Sequence, residues 1–304
     1  MTRHLVNVND LSLAEVDELL EVSECILKSP KDYRKSCKYK KLVTLFYEPS
    51  TRTRLSFEAA MLELGGSCLG FSDALSSSAA KGESIADTIR TVSMYGDVAV
   101  IRHPKEGSAR RASEFSSIPV INAGDGGRQH PTQTLTDILT IHKLKGTLKG
   151  LKIGVCGDLK FGRTVHSLVD FMRNYPGNEF IFVSPKELTM PDYILEKLNK
   201  NSVSFIQTTN LDEAISQMDV LYMTRVQRER FFNEEEYIRL KDLYILDKPK
   251  LATAKKDLTI LHPLPRVNEI SMDIDADPRA AYFQQAGFGK IIRMALIMKL
   301  LEVK

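Results

Sequence analysis

Apolar and polar positions along this chain follow two different periods in turn. Leu13, Val16, Leu19, Leu20 and Ile26 recur at roughly helical spacing behind a Ser12–Glu15 capping-box pattern, which predicts an amphipathic helix at the start. The run "KLVTLFYE" that follows is short and apolar, as a buried strand is. "RLSFEAAMLELGG" then returns to a helical pattern and stops at Gly65 and Gly66. The alternation continues with "SCLGF", "VAVIR" and "PVINAG" as strands and "GESIADTIRTVSMYG" and "GSARRASEFSS" as helices.

A second series begins after "HPTQTLTDILTIHKLKGTLKG", a predicted helix with Pro131 at its first turn. It contains the strands "LKIGVCG", "EFIFVS", "VSFIQT", "DVLYMT" and "LTILHPL", with helical stretches between them. Strands alternating with helices imply parallel sheets covered on both faces. The chain has 304 residues, more than one ordinary domain holds. The expected fold class is therefore α/β, with two doubly wound parallel-sheet domains. The last segment, "GKIIRMALIMKLLEVK", has no strand left to follow and is expected to pack back onto the first domain. The expected boundaries are 1–133 plus 288–304 for one domain and 134–287 for the other.

Composition narrows the function classes. An apolar fraction of 43% and a charged fraction of 27% fit a soluble globular protein. A net charge of +3 is too small to argue for nucleic acid, so any positive character that matters must be local. Cys25, Cys37, Cys68 and Cys156 lie far apart without a C-x-x-C pair, which fits a reduced compartment better than a disulfide scaffold or a zinc knuckle. The first residues lack the apolar core of a signal peptide, and no apolar run approaches the ~18 residues of a membrane span. A cytoplasmic location is the expectation.

Local charge gathers where strands lead into helices. In "FYEPSTRTRLSFEAA", Ser50, Thr51, Arg52, Thr53 and Arg54 meet a predicted helix start, whose free N–H groups and partial positive charge suit an anion. Arginine forks match phosphate oxygens. Taken alone, a capping Ser50 and surface arginines paired with Glu48 and Glu58 would explain the junction equally well. Two more junctions change that balance. Arg102 ends the strand "VAVIR", and "GDGGRQHPTQT" sets His130 and Gln133 at another helix start. A helix N-terminus disfavours imidazolium, so a neutral His130 could donate to a carbonyl oxygen.

In the second series, "GDLKFGR" has only Gly157 and Gly162 where a dinucleotide fingerprint needs three glycines, which argues against NAD. Arg163 in that loop and Arg225 at the end of "DVLYMTR", with Gln227 beyond, suit a dicarboxylate. "DIDADPRAAYFQ" spaces Asp273, Asp275 and Asp277 like a calcium loop but has Pro278 and Gln284 where Gly and Glu are needed. The six histidines show no ligand spacing either, so neither a metal nor a cofactor is expected.

The motifs "STRTR", "KGESIADT", "RHP", "QHPTQTLTDI", "GDLKFGRTVHSL", "YMTRVQ", "HPLPR" and "YFQQAGFG" together resemble the transcarbamoylase family in its aspartate carbamoyltransferase branch. Pro263 in "HPLPR" stands where ornithine enzymes carry a cysteine, and those enzymes normally lack the lysine of "AAKGES". The resemblance implies a carbamoyl phosphate domain and an aspartate domain with the active site in the cleft between them. It implies transfer of the carbamoyl group of carbamoyl phosphate to L-aspartate, giving N-carbamoyl-L-aspartate and phosphate, a step of pyrimidine synthesis. By the same resemblance Ser50, Thr51, Arg52, Thr53 and Arg102 hold the phosphate. Thr53, Arg102 and His130 polarise the carbamoyl oxygen, Gln133 meets the carbamoyl nitrogen, and the backbone at Leu264 and Pro265 completes that half. Arg163, Arg225 and Gln227 grip aspartate. Ser77 and Lys81 lie on a loop that in similar enzymes reaches a neighbouring subunit's site, which implies a homotrimer with shared sites and leaves room for regulatory chains. Lys81 then counts with Arg52, Thr53, Arg102 and His130 among the catalytic residues. Two other readings stay open: a different amine acceptor such as ornithine, and a non-catalytic anion-binding subunit. Every matched motif keeping its polar side chains speaks against the second.

Overall fold

The computed structural model describes residues 2–73, 78–127, 129–228 and 233–303. Ser77 lies outside them. The described chain forms two compact units, Met1–Leu139 with Gly287–Lys304, and Thr140–Ala286.

In the first unit, strands β1 (Lys41–Phe46), β2 (Ser67–Phe71), β3 (Val98–His103) and β4 (Val120–Asp125) form one parallel sheet in the order β2-β1-β3-β4. Helix α1 (Leu13–Lys28) precedes it, and α2 (Thr51–Glu63), α3 (Ile85–Val92), α4 (Ser108–Phe115) and α5 (Pro131–Lys145) alternate with the strands. β1 is buried from Leu42 onward because it is paired on both sides, with Leu42 opposite both Cys68 and Val98. Its neighbours are covered by the apolar faces of α3 and α4, where Ile89, Ala109 and Ala112 pack against Val43, Leu45, Ala99 and Ile101. The free edge of β4 is closed by Leu5, whose N–H and C=O bond to Val120 and Asn122 at 2.9 and 2.8 Å. Ser12 and Glu15 make the expected reciprocal cap on α1.

In the second unit, β5 (Lys152–Cys156), β6 (Glu179–Val183), β7 (Phe205–Thr208), β8 (Val220–Met223) and β9 (Thr259–Leu261) form a parallel sheet in the order β7-β6-β5-β8-β9. The intervening helices are α6 (Arg163–Met172), α7 (Asp192–Lys200), α8 (Leu211–Ala214), α9 (Glu234–Leu240) and α10 (Lys248–Ala252). The terminal helix α11 (Tyr282–Leu301) begins well ahead of the expected "GKII" start and runs through Gly287 and Gly289. Gly289 has a packing reason to be there: a Cβ would stand 3.2 Å from Thr136 Oγ1 on α5. The three aspartates at calcium-loop spacing are committed to cations, Asp273 to Lys248, Asp275 to Arg266 and Asp277 to Arg279. Among the described residues no helix is long and apolar enough to cross a membrane.

Candidate active site

Each sheet reverses its strand order once, and loops at the carboxyl ends beside such a reversal leave a crevice for ligand. In the first unit the chain steps from β1 out to β2 and returns past β1 to β3, so the reversal lies between β1 and β3. Phe46 pairs with Arg102 at this edge, and Tyr47 N donates to Arg102 O at 2.8 Å. Ser50 occupies the N-cap of α2 with extended backbone, yet its hydroxyl makes no capping bond. That hydroxyl is available to a guest at the helix start. Thr51 and Arg52 are exposed and Thr53 is buried one turn in. Arg54 turns away from this group: its Nε donates to Glu58 Oε1 at 2.7 Å, and Thr44 donates to the same oxygen.

Arg102 is held between the Ala123 carbonyl at 3.3 Å and Glu48 at 3.1 Å. Glu48 thus pairs with the β3 arginine rather than with an arginine of α2. His130 is buried immediately before α5, whose first turn bonds to its carbonyl. Its Nδ1 lies 3.4 Å from Thr132 Oγ1. With the hydroxyl donating there, Nε2 carries the proton and can donate to a carbonyl oxygen. Gln133 gives its amide nitrogen to Asp137 Oδ1 at 2.8 Å, which turns its amide oxygen the other way. Lys81 is exposed at the end of a short 3₁₀ turn between β2 and α3.

In the second unit the reversal lies between β5 and β8, and the two loops there are cross-linked. Thr224 Oγ1 donates to Cys156 O at 3.2 Å and accepts Asp158 N at 3.0 Å. Gly157 permits this approach with φ +118°, since a Cβ would stand 2.2 Å from Thr224 O. Asp158 then accepts Phe161 N at 3.0 Å, and Gln227 Nε2 donates to Phe161 O at 3.2 Å. Burial lowers the pKa of His166, so its neutral ring donates Nε2–H to Leu159 O at 2.6 Å and accepts Tyr193 OH at Nδ1, 2.9 Å away. Arg163 opens α6 and Arg225 follows β8, both half-buried. Gln227, with its nitrogen committed to Phe161, offers its oxygen as an acceptor.

Beyond β9, Leu264 N donates to His262 Nδ1 at 2.8 Å, so Nε2 bears the proton and donates to Glu269 Oε1 at 2.6 Å. Glu269 Oε2 accepts Val267 N and Asn268 N at 3.0 and 3.1 Å. Burial pushes the Glu269 carboxyl up, but His262 and backbone N–H groups, that of Val267 among them, hold it below the usual range. The dyad shapes the backbone at Leu264, which is left-handed with φ +51°, and at the exposed Pro265 that follows. Thiolate formation is disfavoured at three of the cysteines: burial pushes Cys37 and Cys68 up to about 11, and Cys156 higher still.

The carbamoyl-P binding domain of aspartate/ornithine carbamoyltransferase matches residues 3–143, and the Asp/Orn binding domain of the same enzymes matches residues 149–300. The chain belongs to the aspartate/ornithine carbamoyltransferase family. It is 60% identical to the aspartate carbamoyltransferase catalytic subunit of Clostridium kluyveri over 302 residues, 99% of each chain. The subunit of Lachnoclostridium phytofermentans is 61% identical over 302 residues, 99% of this chain and 98% of that one. Among solved structures, the catalytic subunit of M. jannaschii aspartate transcarbamoylase superposes with TM-score 0.92 at 47% identity, covering 99% and 98% of the two chains. Aspartate transcarbamoylase from Trypanosoma cruzi in complex with N-(phosphonacetyl)-L-aspartic acid superposes with TM-score 0.91 at 37% identity, covering 97% and 95%.

Within this carbamoyltransferase, Ser50 to Thr53, Arg102, His130 and Gln133 come to one edge of the first sheet, and Arg163, Arg225, Gln227 and Leu264 to one edge of the second. Sequence reasoning missed the residues that hold them: Asp137 behind Gln133, Tyr193 and His166 behind the β5 loop, Glu269 and His262 behind Leu264. The i,i+4 spacing of Gln133 and Asp137 was the one signal in the chain that could have exposed a partner.

Proposed function

We propose that the chain is an aspartate carbamoyltransferase, joining carbamoyl phosphate and L-aspartate to N-carbamoyl-L-aspartate and phosphate in pyrimidine synthesis. The observation that carries this is identity of 60% and more, over 302 residues, to chains named aspartate carbamoyltransferase catalytic subunit. The T. cruzi relative is described with carbamoyl phosphate and aspartate, and with carbamoyl aspartate and phosphate. Pro263 in "HPLPR" supports aspartate over ornithine as the acceptor.

In this reading Ser50, Thr51, Arg52 and Thr53 bind the phosphate at the start of α2, joined by Arg102 and by Ser77 of the β2–α3 loop. The aspartate amine attacks the carbamoyl carbon, and negative charge develops on its oxygen. Thr53, Arg102 and His130 Nε2–H are donors to that oxygen, and one such preorganised donor is worth ~10²–10³ in rate. Gln133 Oε1 and the Leu264–Pro265 backbone hold the carbamoyl nitrogen. Arg163 and Arg225 take the aspartate carboxylates, and Gln227 Oε1 accepts from the amine before attack. The C–O bond to phosphate then breaks, and the departing phosphate accepts the amine proton. Positioning and electrostatics supply the catalysis. The test is an assay of the purified chain with carbamoyl phosphate and either acceptor: aspartate is expected to be carbamoylated, and turnover with ornithine in its place overturns the assignment.

The assembly proposed is a homotrimer in which Ser77 and Lys81 complete a neighbour's site, with Lys81 also reaching aspartate. The exposure of Lys81 supports this. Mixing inactive Lys81→Ala and Arg52→Ala chains should restore some activity, and none if each site is self-contained. Four free cysteines support the cytoplasm as its compartment.

A further inference from the structure

The turn beyond β9 reads His262-Pro263-Leu264-Pro265, and neither proline has a backbone N–H. From Pro263 to Pro265 the sole main-chain donor is therefore that of Leu264, and it is already given to His262 Nδ1 at 2.8 Å. Among the described residues nothing donates to the carbonyls of Pro263, Leu264 or Pro265. The turn thus offers oxygens and withholds its one N–H. Leu264 is left-handed with φ +51°, a conformation that a residue with a side chain keeps when its surroundings hold it there.

His262 is what holds it, and three of its atoms are fixed. Its backbone N–H donates to Gln285 Oε1 of α11 at 3.0 Å, and both residues are buried. A backbone N–H can only donate, so Nδ1 facing Leu264 is bare and Nε2 carries the proton. That proton goes to Glu269 Oε1 at 2.6 Å, while Glu269 Oε2 takes the N–H groups of Val267 and Asn268. The carboxylate on one side of the ring therefore secures the acceptor on the other.

We propose that His262 is a positioning residue that sets specificity: by taking the Leu264 N–H it keeps the turn all-acceptor, and so favours a carbamoyl over an acyl phosphate. The inference rests on the reaction proposed above, in which this backbone holds the carbamoyl nitrogen. One N–H of the carbamoyl NH2 goes to Gln133 Oε1, and the other finds a carbonyl of the turn. Acetyl phosphate has a methyl group in that place and leaves those oxygens unpaired. A Leu264 N–H released from His262 can turn toward the site, where it meets the carbamoyl NH2 donor against donor.

Two substitutions divide the imidazole between its roles. His262→Asn keeps an acceptor where Nδ1 stood and drops the donor to Glu269. His262→Gln keeps an NH2 for Glu269 and drops the acceptor for Leu264. In His262→Gln the KM for carbamoyl phosphate should rise on the order of 10- to 100-fold, while the inhibition constant of acetyl phosphate stays put. His262→Asn should keep its KM near wild type although it melts earlier, for want of the Glu269 contact. A role in stability alone would move KM and melting together in both. Imidazole nitrogen NMR of the wild-type protein tests the premise whether or not the variants fold: Nδ1 of His262 should carry no proton. A protonated Nδ1, an unchanged KM in folded His262→Gln, acetyl phosphate inhibition weakening in step with KM, or a KM in His262→Asn raised as far as in His262→Gln overturns the inference. Wild-type protein that makes no carbamoyl aspartate would instead overturn the reaction on which it rests.

Discussion

The two sheets place their donors by different means. In the first unit the proposed anion donors other than Arg102, which lies at the end of β3, stand at helix starts: Ser50, Thr51, Arg52 and Thr53 open α2, and His130 and Gln133 bracket the first turn of α5. Helix geometry alone fixes their spacing, and the exposed N–H groups add to the field. In the second unit only Arg163 opens a helix. Arg225 and Gln227 lie in irregular backbone after β8, held by Thr224, Asp158 and the Phe161 carbonyl, and Leu264 depends on the His262–Glu269 dyad. A phosphate is nearly the same from every side and suits a cradle of N–H groups. A chiral dicarboxylate needs side chains converging from several loops, and those loops need cross-links to stay in place.

If this contrast is right, single substitutions should separate by substrate. The largest effect is expected for Arg102→Ala, which removes a donor to both phosphate and developing oxyanion and leaves Glu48 without its cation: kcat should fall by ~10³, or ~4 kcal/mol, in steady-state assays. A fall below tenfold would mean that the β3 end is not part of the reacting site. Next comes Arg225→Ala, expected to raise the KM for aspartate by on the order of 10- to 100-fold while the KM for carbamoyl phosphate moves little. Equal changes in both would erase the distinction between the units.

The smallest effect probes the support beneath Leu264. In Glu269→Gln one oxygen becomes an NH2 group, so either His262 or the two N–H groups of Val267 and Asn268 lose their acceptor. A loss of about 2 kcal/mol in stability is expected, read by denaturant melts. The sign with pH follows from the lowered Glu269 pKa: the wild-type advantage is fully present above the ordinary glutamate value and is lost as pH falls through the lowered one. The gap between wild type and variant should therefore narrow below about pH 4. A gap that is constant with pH would show that the charge on Glu269 is not what holds the turn.

Much of this molecule is written locally. The buried run of β1, the Ser12–Glu15 cap, the glycine stop at Gly65 and the parallel alternation of strands and helices follow from periodicity and propensity within short windows. The candidate donors were legible for the same reason, since each sits where an apolar run ends, at a helix start or just at the end of a strand. The Arg54–Glu58 pair is local as well, since the two lie four residues apart on one helix face.

Only the tertiary structure decided what depends on contacts distant in sequence. Gly287 and Gly289 look like a helix boundary, but both lie inside α11, where Gly289 packs closely against Thr136. Glu48 is near the α2 arginines in sequence, yet the β1–β3 register hands it to Arg102. Arg293 lies 237 positions from Ser56 and meets it in a buried setting that no local pattern records. Local free energies of turns, caps and strands are set by neighbours in the chain, so the sequence by itself determined the elements and their chemistry. Which buried charges compensate one another is set by packing between elements, and that is known only once the chain has folded.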